Sequence, residues 1–237
     1  MEFAAVLTAG WDLVRGATPG FWPIVALSLR VTLTAVGLAA LLGLPLGALV
    51  AVVRFPGRGA VVVLVNTLMG LPPVVAGLVV YLVFSRSGPL GTLGWLFTPT
   101  VMIVAQTVLV LPIVVALTRQ VVEDLWREYA EHLRSLDLAG IAAVPTLLWD
   151  ARFSLATVLL AGFGRASAEV GAVLIVGGNI AGHTRTMTTA IALETSKGDL
   201  PLALALGGVL ILLTFAVNAV AWTAGRFGAR FAAHTPG

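Results

Sequence analysis

Five apolar runs, each about the length a helix needs to cross a bilayer, dominate the sequence, and one polar stretch at 118–153 separates the third run from the fourth. Hydrocarbon is about 30 Å thick and a helix rises about 1.5 Å per residue, so a run of roughly 20 apolar residues matches it. A 237-residue chain has no aqueous core large enough to cover five such runs, and lipid must be their solvent. The 59% hydrophobic and 11% charged residues agree with this, and so does a mean hydropathy of +1.02. Because the runs are continuous and not alternating, they predict an all-α membrane protein with five transmembrane helices.

The expected spans are 24–53, 60–84, 99–117, 154–176 and 200–221, all within one membrane domain at 21–224. Pro45, the pair Pro72 and Pro73, and Pro112 fall inside three of them, where each removes a backbone donor and predicts a kink. Trp22, Trp95, Phe97 and Trp222 lie near span ends, at the headgroup level that amphipathic rings prefer. Residues 1–20 space Phe3, Val6, Leu7, Trp11 and Val14 for a short helix lying on the membrane surface, with a disordered leader as the equal alternative. A cleaved signal peptide is not expected, since Glu2 precedes any early Lys or Arg.

An odd number of spans puts the termini on opposite sides. Arg54, Arg58, Arg119, Arg127, Arg134, Arg152, Arg226 and Arg230 share one side, and Arg15, Arg86, Arg185 and Lys197 the other. Basic residues concentrate on the cytoplasmic face, so the N-terminus is expected outside, with 118–153 and a short tail at 225–237 in the cytoplasm. The net charge of +3 is scattered at span ends and not clustered, which argues against a nucleic-acid partner. With no cysteine, the chain can hold no disulfide, thiolate metal site or catalytic thiol, and no metal site is expected.

Ala35, Ala39, Gly43, Gly47 and Ala51 recur every fourth residue, and Gly164, Ala168 and Ala172 do the same. Small residues at this spacing let helix backbones approach closely. No inverted repeat is visible, which counts against a secondary carrier. Nor is there a phosphate-binding loop of the form GxxxxGKS/T, so hydrolysis of ATP by that route needs another subunit. In the polar stretch Leu125, Tyr129, Leu133, Leu136 and Ile141 are spaced as an apolar stripe on a helical segment, which suits a docking surface better than a solvated loop.

Two segments resemble a known family. Glu131, His132, Leu133, Leu136, Asp137 and Gly140 resemble the EAA loop of ATP-binding cassette (ABC) importer permeases, a short helix that enters a cleft of the ATPase subunit, and with Glu128 they are the expected ATPase-coupling residues. Here His132 and Leu133 stand for the two alanines and Asp137 for the glycine of that pattern. Residues 161–199, AGFGRASAEVGAVLIVGGNIAGHTRTMTTAIALETSKGD, are similar to the tungstate and molybdate branch of type I permeases. The resemblance implies a homodimer, two cytoplasmic ATPase subunits that bind ATP, and an extracytoplasmic oxyanion-binding protein. It implies no cofactor in this chain and no enzymatic activity of its own.

A dianion entering hydrocarbon loses hydration worth tens of kcal/mol on a Born estimate, so a lined path is required. Arg165 and Glu169 lie one turn apart in the fourth span, where ionisable groups usually face a bundle interior or cavity. They either hold helices together, with Arg30 as a further partner, or Arg165 supplies positive potential on a path while Glu169 orients it. Gly177, Gly178 and Asn179 either stop a helix or turn backbone amides toward an anion. His183, Arg185 and Lys197 follow as solvated charge or as a docking patch, and Asn66 and Gln106 are placed for hydrogen bonds between helices. Sulfate is the nearest alternative cargo. A proton-coupled carrier and a passive scaffold are the alternatives from other classes. Any regulatory domain is expected on another subunit.

The side of the polar stretch is directly testable, because a cysteine placed at Ser135 would be the sole thiol of the chain. An impermeant maleimide should label it from the cytoplasmic face of oriented vesicles. Labelling from the exterior would overturn the topology.

Overall fold

A computed structural model describes residues 20–138 and 140–232, with side chains at 221, 222 and 224–232 outside the described set. The expectations for residues 1–19, for Trp222, Arg226 and Arg230 and for 233–237 lie outside the described residues. Among the described residues nine α-helices follow one another: α1 Phe21–Val52, α2 Arg58–Met69, α3 Pro73–Phe84, α4 Pro99–Ser135, α5 Val144–Asp150, α6 Arg152–Ser167, α7 Gly171–Gly177, α8 Met187–Lys197 and α9 Leu200–Ala232. Two 3-10 turns, Gly91–Leu93 and Gly140–Ala143, complete the described structure, which contains no strand. The architecture is all-α, as expected.

Among the described residues three helices are long and apolar enough to cross a membrane, Phe21–Val52, Pro99–Ser135 and Leu200–Val220, and the number rises to five if two bent pairs each count as a span. Pro45 and Pro112 remain inside unbroken helices. The expected second span is not continuous. It divides into α2 and α3 at 70–72, where a prolyl residue disfavours helix in the residue before it and Pro73 opens a new helix at its first turn. The released amides of Gly70 and Leu71 bond back to Thr67 and Leu68, and Ala76 bonds to Pro72.

The expected fourth span is also corrected. Helix α6 ends at Ser167, residues 168–170 are not helical, and α7 adds a separate two turns. The bent pair here joins Gly140–Asp150 to Arg152–Ser167 at 79°, so helix begins well before residue 154. The polar stretch is helical, as expected, with α4 running into it as far as Ser135, and α9 continues past residue 221 to Ala232.

The described chain falls into two compact units. One is drawn from residues up to Ala35, Pro72–Gln106 and Arg165–Ala216, the other from Val36–Leu71, Thr107–Gly164 and Val217 onward. In the first, Phe21 and Val25 of α1 pack with Met187 and Ala190 of α8 and with Ala205 and Leu206 of α9. Ser28 ties this cluster together, its Oγ accepting the Met187 amide at 2.7 Å. Helix α3 also packs on α7 so closely that a Cβ on Gly77 would lie 2.7 Å from the Ala172 Cα.

The second unit is built on the four-residue stripe of α1. Ala39, Gly43, Gly47 and Ala51 are all buried. A Cβ on Gly43 would lie 2.8 Å from Val114, and one on Gly47 would lie 2.6 Å from the Val115 carbonyl oxygen. The stripe at 164, 168 and 172 does not form one face, because the helix breaks within it. Ala172 is buried, whereas Ala168 is exposed and a Cβ on Gly164 would meet nothing. At the end of α1, Arg58 donates from Nε to the Val50 carbonyl at 2.7 Å, satisfying a carbonyl the helix leaves open.

Two glycines of α1 predict opposite outcomes. Gly47→Ala should destabilise by about 1–3 kcal/mol, because the new methyl meets backbone and neither helix can yield. Gly37→Ala meets nothing within 4 Å and should stabilise by about 0.5–1 kcal/mol through helix propensity. Thermal unfolding in detergent reads both.

Candidate functional site

Two of the expected path residues meet at the break between α6 and α7. Glu169 lies just past the end of α6 and not within a continuous helix, yet it reaches Arg165 at 2.8 Å. Its other oxygen accepts the Ala172 amide at 2.9 Å, satisfying a donor in the first turn of α7. The carboxylate is 2% exposed and both of its oxygens are engaged. The Arg165 side chain remains 29% exposed, and Arg30 is exposed with no ion pair among the described residues.

Side chains from elsewhere in the same unit take the backbone groups that the break releases. Gln106 Nε2 donates to the Ala166 carbonyl at 3.2 Å, and Thr188 Oγ1 donates to the Glu169 carbonyl at 2.7 Å. In an uninterrupted helix these carbonyls would accept from residues 170 and 173. Gln106 thus makes the interhelical bond expected of it, while Asn66 lies exposed on α2, a helix with no buried residue.

The turn after α7 brings together the next three expected residues. Gly177 closes the helix, and Gly178 and Asn179 both adopt left-handed backbone, with φ of 71° and 50°. Such a conformation suits Gly and is tolerated by Asn, so the helix stop is real. The Gly178 amide bonds to Leu174 and the Ile180 amide to Thr184 Oγ1, so two amides of the turn are consumed internally. Arg185 donates to the Asn179 carbonyl at 3.4 Å. Thr186 and Thr189 then form a reciprocal capping box that starts α8.

The second group lies at the end of α4. Leu133 is 6% exposed and joins a core with Ala48, Ala51, Val52, Val122, Ala143, Val144 and Leu147. It therefore faces its own chain, and the expected stripe does not form a single face. Glu128, Glu131, His132, Leu136 and Asp137 are exposed, and Gly140 is partly so. Asp137 takes φ 60° and Gly140 φ 58°, both in the left-handed region. Leu136, Ile141 and Trp149, 57%, 68% and 70% exposed, leave apolar surface open on this polar segment. The Tyr129 phenol is held above its ordinary range, chiefly by the neighbouring Glu128 carboxylate.

Glu123 escaped the sequence reading. It gathers three arginines, pairing with Arg119, with Arg127 at 3.2 Å and with Arg58 at 3.6 Å. Its spacing of four from Arg119 and Arg127 was the available signal; Arg58 could be found only from the fold. Among the described residues no group of three or more acidic or histidine side chains could hold a metal ion.

No protein-family model matches the chain. Individual proteins do. A probable anion ABC transporter permease protein of Haloferax volcanii is 43% identical over 219 residues, covering 90% of this chain and 91% of the relative. The tungstate uptake system permease protein TupB of Peptoclostridium acidaminophilum is 38% identical over 224 residues, 94% of this chain and 98% of the relative. The sulfate transport system permease protein CysT of Salmonella typhimurium is 30% identical over 246 residues, 94% and 83%. Identity of 43% and 38% over at least nine-tenths of the chain makes it a multi-pass membrane protein of the ABC transporter permease family.

Proposed function

We propose that this chain is the permease subunit of an importer for tetrahedral oxyanions, with tungstate or molybdate as cargo. The observation that carries this reading is the full-length match to a tungstate uptake permease at 38% identity, against 30% for the sulfate permease. Family membership leaves the carrier and scaffold alternatives without support. The complete assembly is two copies of this chain, two ATPase subunits that hydrolyse ATP on the cytoplasmic side, and an extracytoplasmic binding protein that delivers the anion. In this arrangement the N-terminus is outside and the C-terminus cytoplasmic, and the chain itself carries no cofactor.

On this reading Glu128, Glu131, His132, Leu136, Asp137 and Gly140 form the coupling surface, and buried Leu133 holds the turn in place beneath them. The exposed Leu136 and Ile141 support this, since apolar surface on an otherwise polar segment marks a partner contact. Nucleotide-driven closure of the ATPases then moves this segment and switches the bundle between outward-open and inward-open states. Arg165, Glu169, Gly177, Gly178 and Asn179 belong to the path or gate. Glu169, with both oxygens engaged, serves as the positioning residue, and the partly exposed Arg165 presents the charge.

Proteoliposomes holding the permease, the ATPase and the binding protein should take up tungstate or molybdate only with ATP present. Absence of uptake for both anions would reject the cargo. In the same assay Arg165→Gln should lower uptake roughly tenfold or more, the worth of a charged hydrogen bond, with Arg165→Lys restoring most of it. An Arg165→Gln variant that folds and transports normally would confine the residue to a packing role.

Docking is read separately, by co-purification of the ATPase. Ile141→Asp should abolish co-purification while leaving the melting temperature within a few degrees of wild type. Leu133→Asp should instead unfold the segment, because it buries a charge in an apolar core.

A further inference from the structure

The first turns of two candidate spans enclose a cavity of about 480 Å³ that has no place in the transport reading. Phe21, Ile24 and Leu27 of α1 and Leu202 and Leu206 of α9 give it apolar walls, and the turn at 181–185 brings Arg185 to its lining. Trp22, half exposed in the same turn of α1, marks this level as the membrane interface.

The polar groups here are few and unequal. Glu194 is 7% exposed, and its carboxylate is already bonded to Lys197 at 2.9 Å. Arg185 lines the cavity and spends Nη2 on the Asn179 carbonyl, and a guanidinium is always charged. An occupant that answers both features needs negatively charged oxygens at one end and an apolar body at the other.

We propose that this cavity binds a membrane glycerophospholipid, with its phosphate on Arg185 and one acyl chain along Ile24, Leu27, Leu202 and Leu206. A free tetrahedral oxyanion offers the same oxygens to Arg185 but leaves the apolar walls uncovered. Phosphate and guanidinium make strong charge-assisted bonds, and burial of the chain adds the hydrophobic contribution. None of the lining residues is among those assigned to coupling or to the path, although Arg185 is bonded to the Asn179 carbonyl.

Native mass spectrometry of the full chain in detergent, with phosphatidylglycerol added, tests this. The wild type should retain one lipid per copy. Retention should fall roughly tenfold in Arg185→Gln and recover in Arg185→Lys. Leu27→Trp, which fills the apolar part without touching the charge, should lower it as well. Leu41→Trp, at a side chain 70% exposed and outside the cavity lining, should leave retention unchanged. The proposal is overturned if Arg185→Gln or Leu27→Trp holds lipid as the wild type does. Displacement of the lipid by millimolar inorganic phosphate or tungstate would also overturn it, by assigning Arg185 to a free oxyanion. Should Arg185→Gln fail to fold, the Leu27→Trp comparison decides alone.

Discussion

Hydrocarbon offers no hydrogen bonds, so every backbone group that a broken helix releases must find a partner within the protein. That constraint governs the unit holding Arg165 and Glu169. The break at 168–170 is sustained by four side chains: Glu169 takes the Ala172 amide, Gln106 and Thr188 take the Ala166 and Glu169 carbonyls, and Arg165 balances the buried carboxylate. A buried ion pair contributes little to net stability, yet losing either partner leaves an uncompensated charge. The clasp therefore specifies geometry more than it adds stability. It leaves a partly exposed guanidinium at the edge of a helix break.

Under the coupling role proposed above, the other unit meets a different requirement, that of passing a mechanical input to a close-packed bundle. Gly43 and Gly47 bring α1 against α4 with no room for a methyl group. Glu123 fastens arginines from α2 and α4 near the end of α1, and Leu133 anchors the last turn of α4 in the same core. On that proposal, a push on the exposed Leu136 and Ile141 reaches tightly packed elements, and close-packed interiors transmit displacement and do not absorb it. Asp137 illustrates how little freedom the turn has. Its left-handed backbone is a conformation that aspartate tolerates and glycine would occupy without strain.

Much of this was legible before the fold was known. The all-helical membrane class, the packing role of the α1 stripe, the helix stop at Gly178 and the interhelical bond of Gln106 all follow from composition, spacing and residue chemistry. The break at 70–72 was half legible, since two prolines announce a disturbance without saying whether the helix bends or ends. Two readings failed for one shared reason. The span at 154–176 and the stripe at 164–172 each assumed an unbroken helix, and periodicity has meaning only along a continuous axis; the stripe of the polar stretch likewise loses Leu136 and Ile141 past the end of α4.

Sequence alone determined the solvent of this chain, its helical class and its family resemblance, because these depend on summed apolar length and on local residue order. Tertiary structure alone decided where the helix around Glu169 stops. No proline or glycine lies at 168–170; the interruption depends on hydroxyl and amide groups from residues 106 and 188 competing for carbonyls that a local helix would otherwise bind. Partners 60 and 19 residues away in sequence leave no local pattern to read.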